Sequence, residues 1–409
     1  MTTTTAGAVV SLVAPRAMLV GGGSVARVPA LLAQLGLARP LVVTDPWMVS
    51  SGTVERLLGP MRAAGLAPDV FHETVPDPTD TVVEEGVRRL RSGGPYDVLV
   101  GFGGGSPMDT AKAMAILAAA PEGEHIRAFK APFAADRAAL PVVCVPTTAG
   151  TGSEATRFTV VTDTARDEKM LVAGLGALPL AAVVDHELTW TVPPRTTADT
   201  GVDSLTHALE AFVSRRANPF SDDLARAAMR LIAPNLRRAY ANPSDAAARE
   251  AMMTGATLAG LAFSNASVAL VHGMSRPLGA HFHVPHGLSN AMLLPAVTAY
   301  GLEHALPRYA EAARAMGVAP AGSPDDEAAH ALVDELRALN ADLAVPTPAA
   351  HGIEAARWEA LLPRMAEQAL ASGSPANNPR VPDAAEVVAL YRVAYAGDAA
   401  ATPAPAHAG

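Results

Sequence analysis

"VLVGFGGGSPMDTAKAMAI", residues 98–116, leads from an apolar strand pattern through three glycines into a helical pattern. Ser106 suits a helix N-cap, Pro107 suits the first helical position and Asp109 falls at the third. Glycines 103–105 let backbone N–H groups approach a ligand, and a helix N-terminus offers free donors to a phosphate. The segment matches neither the P-loop nor the G-x-G-x-x-G fingerprint, so by itself it predicts a structural turn as readily as a phosphate site.

Similar strand-like runs, each ending in Gly, Asp, Thr or His, recur through the first half of the chain. They are AMLVGGG (17–23), PLVVTD (40–45), YDVLVGFGGG (96–105), PVVCVPTT (141–148) and AAVVDH (181–186). Amphipathic segments at 25–37, 52–64 and 79–92 lie between several of them. Strands that alternate with helices predict a Rossmann-like α/β domain with a mainly parallel sheet and a site at the carboxyl ends of the strands.

After Trp190 nearly every segment has a helical pattern, interrupted by short Pro/Gly loops. The chain of 409 residues is longer than one hydrophobic core usually supports. We therefore expect an α/β dinucleotide-binding domain over 1–192 and an all-α metal-binding and substrate domain over 193–409. The Ala/Pro-rich tail 397–409 is expected to fray.

Composition excludes several classes of partner and site. The net charge of −9, without a basic run, argues against nucleic acid and anionic membranes. The single cysteine, Cys144, lies in an apolar strand pattern, so it forms no internal disulfide and is expected to be a buried hydrophobe. The N-terminal segment 1–16 has no positive residue before its apolar part, and no apolar stretch reaches membrane-spanning length unbroken. We expect a cytoplasmic protein and a homo-oligomer, most simply a dimer.

A second polar turn, PTTAGTGSEAT (146–156), follows the Cys144 strand. Its hydroxyls are on Thr147, Thr148, Thr151 and Ser153. The turn could be a plain loop that caps the next helix. Two such turns at adjacent strand ends, however, favour a dinucleotide cleft more than either turn does separately.

Asp45 ends the strand pattern PLVVTD. A carboxylate at this place can accept hydrogen bonds from both adenosine ribose hydroxyls and repels a 2′-phosphate, which favours NAD over NADP. The alternative is a helix or turn cap, a common role for Asp before Pro.

Candidate metal ligands lie in the second half. Asp203 and His207 are four residues apart in DTGVDSLTHALEAF (199–212), so on a helix they share one face. Such pairs are common by chance. VHGMSRPLGAHFHVPHG (271–287) adds four histidines, with His272 in a helical pattern and His286 in a turn after a break. Three imidazoles and one carboxylate, without a thiolate, suit Fe(II) or Zn(II) as a Lewis acid for an alcohol or carbonyl.

Four segments, in this order, resemble the iron-containing (group III) alcohol dehydrogenases: GGGSPMDTAK (103–112), PTTAGTGSE (146–154), GVDSLTHALEAF (201–212) and HGMSRPLGAHFHVPHGLSNAMLLP (272–295). The resemblance covers roughly residues 15–395. It implies the fold that this family shares with dehydroquinate synthase. It also implies NAD and Fe(II), with Zn(II) as the alternative metal, and a small alcohol or aldehyde as substrate.

The resemblance assigns these groups to particular residues. It implies that the metal ligands are Asp203, His207, His272 and His286. It implies that the cofactor's pyrophosphate is held by Gly104, Gly105, Ser106 and Asp109. It further implies that Thr147, Thr148 and Thr151 line the cofactor and that Lys169 contacts its ribose. Val160 and Leu188 match positions that flank the cofactor, and Asp45 matches the acidic residue that goes with NAD preference.

One departure from the family pattern concerns acid/base catalysis. Many relatives carry a histidine where this chain has Arg276, and arginine does not titrate near neutral pH. His281 or His283 is the remaining candidate for a proton relay, with a structural role as the alternative; otherwise the proton leaves through water and cofactor hydroxyls. We predict His281 and Arg276 as the catalytic-site residues, and Arg276 as a group that recognises an anionic part of the substrate. Its alternative is a structural role, if Pro277 ends the helix.

Two other functions compete with an NAD(H)-dependent alcohol dehydrogenase. A metal- and NAD-dependent lyase of the dehydroquinate-synthase kind needs a basic cluster for a phosphorylated substrate, and the second half offers Arg276 without a neighbouring group of lysines. A non-enzymatic metal or nucleotide binder does not explain two cofactor turns together with four metal ligands.

Overall fold

A computed structural model describes residues 9–397, so the tail 398–409 and the first eight residues of the N-terminal segment lie outside the described residues. Six strands form a parallel sheet in the order β1-β8-β5-β4-β2-β3, and β6 and β7 form a separate antiparallel hairpin. The strands are β1 (Ala17–Val20), β2 (Pro40–Val43), β3 (Asp69–Phe71), β4 (Val98–Gly103), β5 (Val142–Pro146), β6 (Phe158–Asp163), β7 (Glu168–Ala173) and β8 (Ala181–Val184).

Helices flank the sheet and make up the second half of the described chain. In the first half they are α1 (Val28–Gln34), α2 (Pro46–Ser50), α3 (Glu55–Ala63), α4 (Asp80–Ser92) and α5 (Gly105–Ala118). In the second half they are α6 (Pro194–Val213), α7 (Pro219–Ala241), α8 (Ala246–Ala266), α9 (Leu270–Phe282), α10 (His286–Ala315), α11 (Asp325–Asp342), α12 (Ala355–Ala371) and α13 (Ala384–Ala396).

The central strands are apolar because both faces of the sheet are covered. Along β5, Val142 and Cys144 pack into the core shared with α4 and α5, whereas Val143 and Val145 pack into the core shared with α1 and α3. Successive side chains of a strand point to opposite faces, so a strand buried on both sides has no polar alternation. Cys144 is buried, as predicted, and burial raises the pKa of its thiol to about 12.

The predicted fold class is confirmed, with differences at individual elements. All five predicted strands are present, while the three-residue β3 and the β6–β7 hairpin were not predicted. The N-cap of α5 is Gly104, and its first residue is Gly105, so Ser106 and Pro107 lie inside the first turn and their predicted cap positions are wrong. The helix begins two residues earlier than predicted, because glycine is accepted at an N-cap and the first N–H groups of the helix can remain open to a ligand.

The second half of the described chain is helical from Pro194 onward. The predicted domain limit at 192/193 lies in the short connection before α6 and stays a prediction. No single helix of residues 9–397 is long and apolar enough to cross a membrane; the bent pair α8–α9, which meets at 104°, passes that test by length and composition only.

Candidate metal and cofactor site

Three helices bring the four predicted metal ligands together. Asp203 and His207 lie one turn apart in α6, His272 is in the first turn of α9, and His286 is the first residue of α10. His286 therefore opens a helix, and the predicted turn ends just before it. Asp203, His207 and His272 are at most 4% exposed, whereas the His286 side chain is 41% exposed toward solvent.

The spacing of the donor atoms fits one small cation. Asp203 Oδ1 lies 3.8 Å from His207 Nε2, 3.5 Å from His272 Nε2 and 3.7 Å from His286 Nε2. All four donor atoms lie within 4.8 Å of one another. Two donors that each lie about 2.1 Å from one tetrahedral ion are about 3.4 Å apart, so small side-chain adjustments complete the site. Three imidazole nitrogens and one carboxylate oxygen suit Fe(II) or Zn(II).

Glu210 orients His272. Its Oε2 accepts a hydrogen bond from His272 Nδ1 at 2.7 Å and from the backbone N–H of Ala269 at 2.9 Å, and its Oε1 accepts from Val271 N–H at 2.5 Å. The carboxylate thus binds the open N-terminus of α9 and keeps the proton on Nδ1, which leaves Nε2 free to bind metal. Sequence analysis missed Glu210, although its spacing of three and seven residues from His207 and Asp203 puts it on the same helix face.

Asn290, one turn after His286 in α10, is the second residue that sequence analysis missed. Its Nδ2 donates to Asp203 Oδ1 at 2.6 Å and lies 3.1 Å from His272 Nε2. Its Oδ1 is buried without a hydrogen-bond partner. A buried polar atom without a partner is costly, so an amide among the ligand atoms indicates a site built for a further polar group.

Burial and mutual charge set the protonation of the ligands. Burial lowers the pKa of His207 to about 4. Desolvation, followed by the positive charges of His272 and Lys169, lowers the pKa of His286 to about 3. Burial alone would raise the pKa of Asp203, but the surrounding histidines hold it below its usual range. Asp203 as a carboxylate and His207 and His286 as neutral bases are the forms that bind metal. Burial lowers the pKa of His272, but Asp203 and Glu210 outweigh that effect and raise it to about 9, so metal binding at His272 Nε2 releases a proton.

The glycine turn and the threonine turn meet at the carboxyl edge of the sheet. Gly103 has φ +146°, and a Cβ there would lie 2.6 Å from Pro107, so both conformation and space require glycine. A Cβ added to Gly104 would have Thr148 as its nearest neighbour, at 3.8 Å, so the space above this glycine is open. The N-terminus of α5 is therefore accessible to a phosphate.

The threonine turn also contacts the metal-ligand helix. Ser204 Oγ, adjacent to Asp203, lies 3.2 Å from the carbonyl oxygens of both Ala149 and Gly150. Gly150 packs so closely on α6 that an added Cβ would lie 2.5 Å from Thr200. One loop thus joins the carboxyl edge of the sheet to the helix that carries two metal ligands.

The other predicted cofactor residues lie around this edge, but several make contacts that the sequence does not show. Asp109 Oδ1 accepts a hydrogen bond from Ser153 Oγ at 2.7 Å, and its Oδ2 accepts one from the backbone N–H of Val160 at 2.9 Å. This carboxylate therefore joins α5 to the threonine turn and to β6. Leu188 is 2% exposed and packs in the core beneath the sheet. Their direct contact with cofactor stays a prediction.

Asp45 and Lys169 are each held by a partner within the chain. Asp45 Oδ1 caps α2 by accepting from Met48 N–H at 2.9 Å, and Lys169 Nζ pairs with Asp77 Oδ1 at 2.8 Å. A cap uses one oxygen of the Asp45 carboxylate, so the two roles predicted for it are compatible. Their contacts with ribose stay predictions.

Arg276 and His281 lie further along α9, which continues through Pro277 to Phe282. The side chain of Arg276 lines a cavity of about 480 Å³, and its Nη1 donates to Ser374 Oγ at 3.1 Å. His281 Nε2 lies 2.7 Å from Oε1 of Gln368, another residue of the cavity wall. His283 is exposed in the left-handed conformation that ends α9. The relay role of His281 or His283 stays a prediction.

Comparison with known proteins agrees with this geometry. The family model "Iron-containing alcohol dehydrogenase" matches residues 15–186, and "Fe-containing alcohol dehydrogenase family, C-terminal" matches residues 197–395. The chain belongs to the iron-containing alcohol dehydrogenase family. Membership covers both halves of the chain, and it does not favour the alternative of a lyase of the dehydroquinate-synthase kind.

Relatives within the iron-containing alcohol dehydrogenase family match nearly the whole chain. Lactaldehyde reductase of Escherichia coli is 36% identical over 92% of this chain and 97% of its own length. A crystal structure of 1,3-propanediol oxidoreductase has a TM-score of 0.89 at 36% identity and covers 95% of this chain and 100% of its own. A sulfoacetaldehyde reductase from Bifidobacterium kashiwanohense, solved with NAD⁺, has a TM-score of 0.84 at 27% identity, and the match covers 96% of this chain and 100% of that chain.

Proposed function

We propose that this chain is an NAD(H)- and Fe(II)-dependent alcohol dehydrogenase that acts on a small alcohol, and on the corresponding aldehyde in reverse. The observation that carries the proposal is the contact of Ser204 with the threonine turn at Ala149 and Gly150. This contact sets the predicted cofactor edge directly against the helix of Asp203 and His207. A metal binder or a nucleotide binder alone has no need of that junction.

The residues divide the work of the reaction. Asp203 and the three histidines would hold the metal, Glu210 orients His272, and the N-terminus of α5 would bind the pyrophosphate. When bound, the metal supplies Lewis-acid polarisation of the substrate oxygen and NAD⁺ supplies the hydride acceptor. In the balanced reaction the alcohol loses a hydride from carbon to nicotinamide and a proton from oxygen to water, which gives the aldehyde, NADH and H⁺.

Four parts of the proposal are finer than family membership: the metal, the cofactor, the cellular location and the oligomeric state. The iron follows from the family and the donor set, with Zn(II) as the alternative; NAD rather than NADP follows from the charge of Asp45. The relative solved with NAD⁺ supports a nicotinamide cofactor. We also propose a cytoplasmic location, since NAD(H) turnover needs the cofactor pool of the cell interior, and cell fractionation tests it. We further propose a homodimer, which light scattering tests.

The deciding experiment combines metal analysis with turnover. Anaerobically purified protein should contain one Fe(II) or Zn(II) per chain and form NADH with simple primary alcohols. His207→Ala and His272→Ala should lose the metal. His283→Asn, which changes a nearby exposed histidine to a residue that tolerates its left-handed conformation, should keep it. Full metal occupancy in both alanine variants contradicts the ligand assignment, and loaded wild type without NADH formation contradicts the enzyme.

A further inference from the structure

We infer that Arg276 forms an oxyanion-binding subsite beside the metal ligands, so that the preferred substrate is an aldehyde or alcohol with a carboxylate-type group a short chain away from the reacting carbon. The inference rests on the proposed function and specifies its substrate class. Four observations support it: the place of Arg276 on α9, its hydrogen bonding, the pairing of the neighbouring charges and the shape of the cavity.

The position of Arg276 follows from the helix. Arg276 lies four residues after His272, which is one turn along the same face and about 6 Å along the axis. Because α9 continues through Pro277 to Phe282, the structure does not follow the alternative in which Arg276 turns away at a helix end. A small molecule with its oxygen at the metal ligands and an anion at Arg276 therefore spans only a few carbon atoms.

The guanidinium is held in place by one neutral contact. Its Nη1 donates to Ser374 Oγ at 3.1 Å. Ser374 is fixed because the 3-10 turn Ser374–Asn377 packs tightly on α9, where a Cβ added to Gly273 would lie 2.6 Å from Pro375. A guanidinium has five N–H donors in a planar fork, so most of them remain available to a carboxylate or sulfonate.

The charges around Arg276 leave it without an acidic partner. Of the five cationic residues that line the cavity, the other four each pair with a carboxylate: Lys130 with Glu168, Arg166 with Asp163, Lys169 with Asp77, and Arg364 with Glu367. Within residues 9–397, Arg276 has no carboxylate oxygen within 4.0 Å. A half-buried guanidinium that lacks a partner and is turned to a cavity is suited to an external oxyanion.

Glu210 is the acid whose charge acts on Arg276, and it is already engaged. Burial lowers the pKa of Arg276, and the Glu210 carboxylate opposes that effect at a distance. The hydrogen bonds to Glu210 come from Ala269, Val271 and His272, so it does not pair with the guanidinium. An anionic substrate would supply the direct partner that the fold leaves out.

The cavity that Arg276 lines has apolar surface for a short chain. Val160, Leu171, Pro277 and Ala280 provide apolar surface next to Arg276, and the cavity volume is about 480 Å³. Lys169 lies on the β7 side of the cavity and close to α9, where a Cβ added to Gly279 would lie 3.4 Å from Lys169 Nζ. The apolar part of this lining is suited to the methylene groups of a short chain whose anion binds Arg276.

The test compares charged and neutral substrates of equal length on the metal-loaded enzyme with NADH. The probes are ω-oxo carboxylates of increasing chain length, the ω-oxo sulfonates and, as neutral counterparts, the ω-oxo amides. Wild type should prefer one carboxylate or sulfonate over its amide by at least about tenfold in kcat/KM. Arg276→Ala should lose about ten- to a hundredfold on that anion and less than about threefold on the amide, the range expected for hydrogen bonds to a charged group.

Two variants separate recognition from general charge and from misfolding. Arg276→Lys keeps the positive charge but lacks the planar set of N–H donors, so it should retain only part of the wild-type preference for the anion over the amide. Arg364→Ala removes a cation from the outer wall, where the side chain is 60% exposed and paired with Glu367, and should change the preference by less than about twofold. An unchanged melting temperature in the substrate-free Arg276 variants shows that they fold.

The outcomes distinguish this inference from the proposed function. Equal activity of wild type on anions and amides, or equal losses on both in Arg276→Ala, overturns the oxyanion subsite while the dehydrogenase stands. An Arg364→Ala effect as large as that of Arg276→Ala also overturns it, because general charge then explains the preference. Absence of NADH oxidation with every aldehyde, simple alkanals included, is a failure of the proposed function itself.

Discussion

Glu210 acts on the metal site through a histidine and through the backbone. Its carboxylate accepts the Nδ1 proton of His272 and two N–H groups at the start of α9. A histidine whose second nitrogen donates to a carboxylate has a fixed tautomer and ring orientation, and it is a stronger metal ligand for that reason. Glu210 is therefore a positioning residue for His272.

We predict that Glu210→Gln lowers the metal affinity by about ten- to a hundredfold, because the amide is neutral and a weaker acceptor for His272. Equilibrium dialysis against a chelator measures the affinity directly, without turnover. Glu154→Gln is the matched control, since Glu154 is also a buried glutamate with a single side-chain partner, Thr257, and lies outside the ligand cluster. Equal affinities for Glu210→Gln and wild type would show that Glu210 only caps α9.

The Asp45 side chain caps α2 and carries a negative charge, and a substitution can remove the charge while it keeps the cap. Asp45→Asn keeps an acceptor for Met48 N–H, because asparagine caps helices as well as aspartate does, but it removes the charge. We predict that wild type prefers NAD over NADP and that this substitution narrows the preference about tenfold, as does Asp45→Gly. Steady-state kcat/KM with both cofactors is the measurement. A wild type that prefers NADP, or an unaltered ratio in Asp45→Asn, leaves Asp45 as a cap only.

At the scale of elements, the fully buried Lys112 connects α5 to the strand β6 and the turn before it. Four oxygens lie within 3.1 Å of its Nζ and share its three N–H groups: Ser153 O at 2.5 Å, Ser153 Oγ at 2.9 Å, Thr156 O at 3.1 Å and Phe158 O at 3.0 Å. Ser153 and Thr156 are buried, so their oxygens need a donor within the fold, and Lys112 supplies it. The position of the β6–β7 hairpin, and with it Lys169 and Val160 of the cavity, depends on this side chain.

We predict that Lys112→Met, which has a similar length, destabilises the protein by about 3 kcal/mol or more, because several buried acceptors lose their donor. Denaturant unfolding followed by circular dichroism measures the change. Lys130→Met is the control: this lysine is 34% exposed and pairs with Glu168, so its loss should cost less than about 1 kcal/mol. Similar losses in both variants would contradict a special role for Lys112.

At the scale of the whole molecule, the four predicted metal ligands come from α6, α9 and α10, which also form much of the helical core. A ligand that binds only the folded chain stabilises it by about 4 kcal/mol when its concentration is a thousand times the Kd. We therefore predict that metal raises the melting temperature of the wild type by several degrees and leaves that of His272→Ala unchanged. Calorimetric scans with and without Fe(II) or Zn(II) test this. Equal melting temperatures with and without metal would falsify the single shared site.

The sequence by itself predicted five of the eight strands that the structure describes and the pair Asp203 and His207 on one helix face, because each depends on a short-range pattern. Apolar runs bounded by glycine or aspartate mark buried strands, and the four-residue spacing of Asp203 and His207 marks one helix face. The resemblance of four segments to a family added His272 and His286, which the structure places beside Asp203.

Only the tertiary structure decided what surrounds those residues. Glu210 meets His272 across 62 positions of sequence, Asn290 meets Asp203 across 87, and Arg276 meets Ser374 across 98. No local period records such pairs, because they form only when separate helices pack. For the same reason the sequence did not show that Arg276 has basic neighbours. These residues belong to β7 and other distant segments, and only the fold brings them to the cavity that Arg276 lines. Local patterns fix which residues share an element, and packing between elements fixes which side chains form the site.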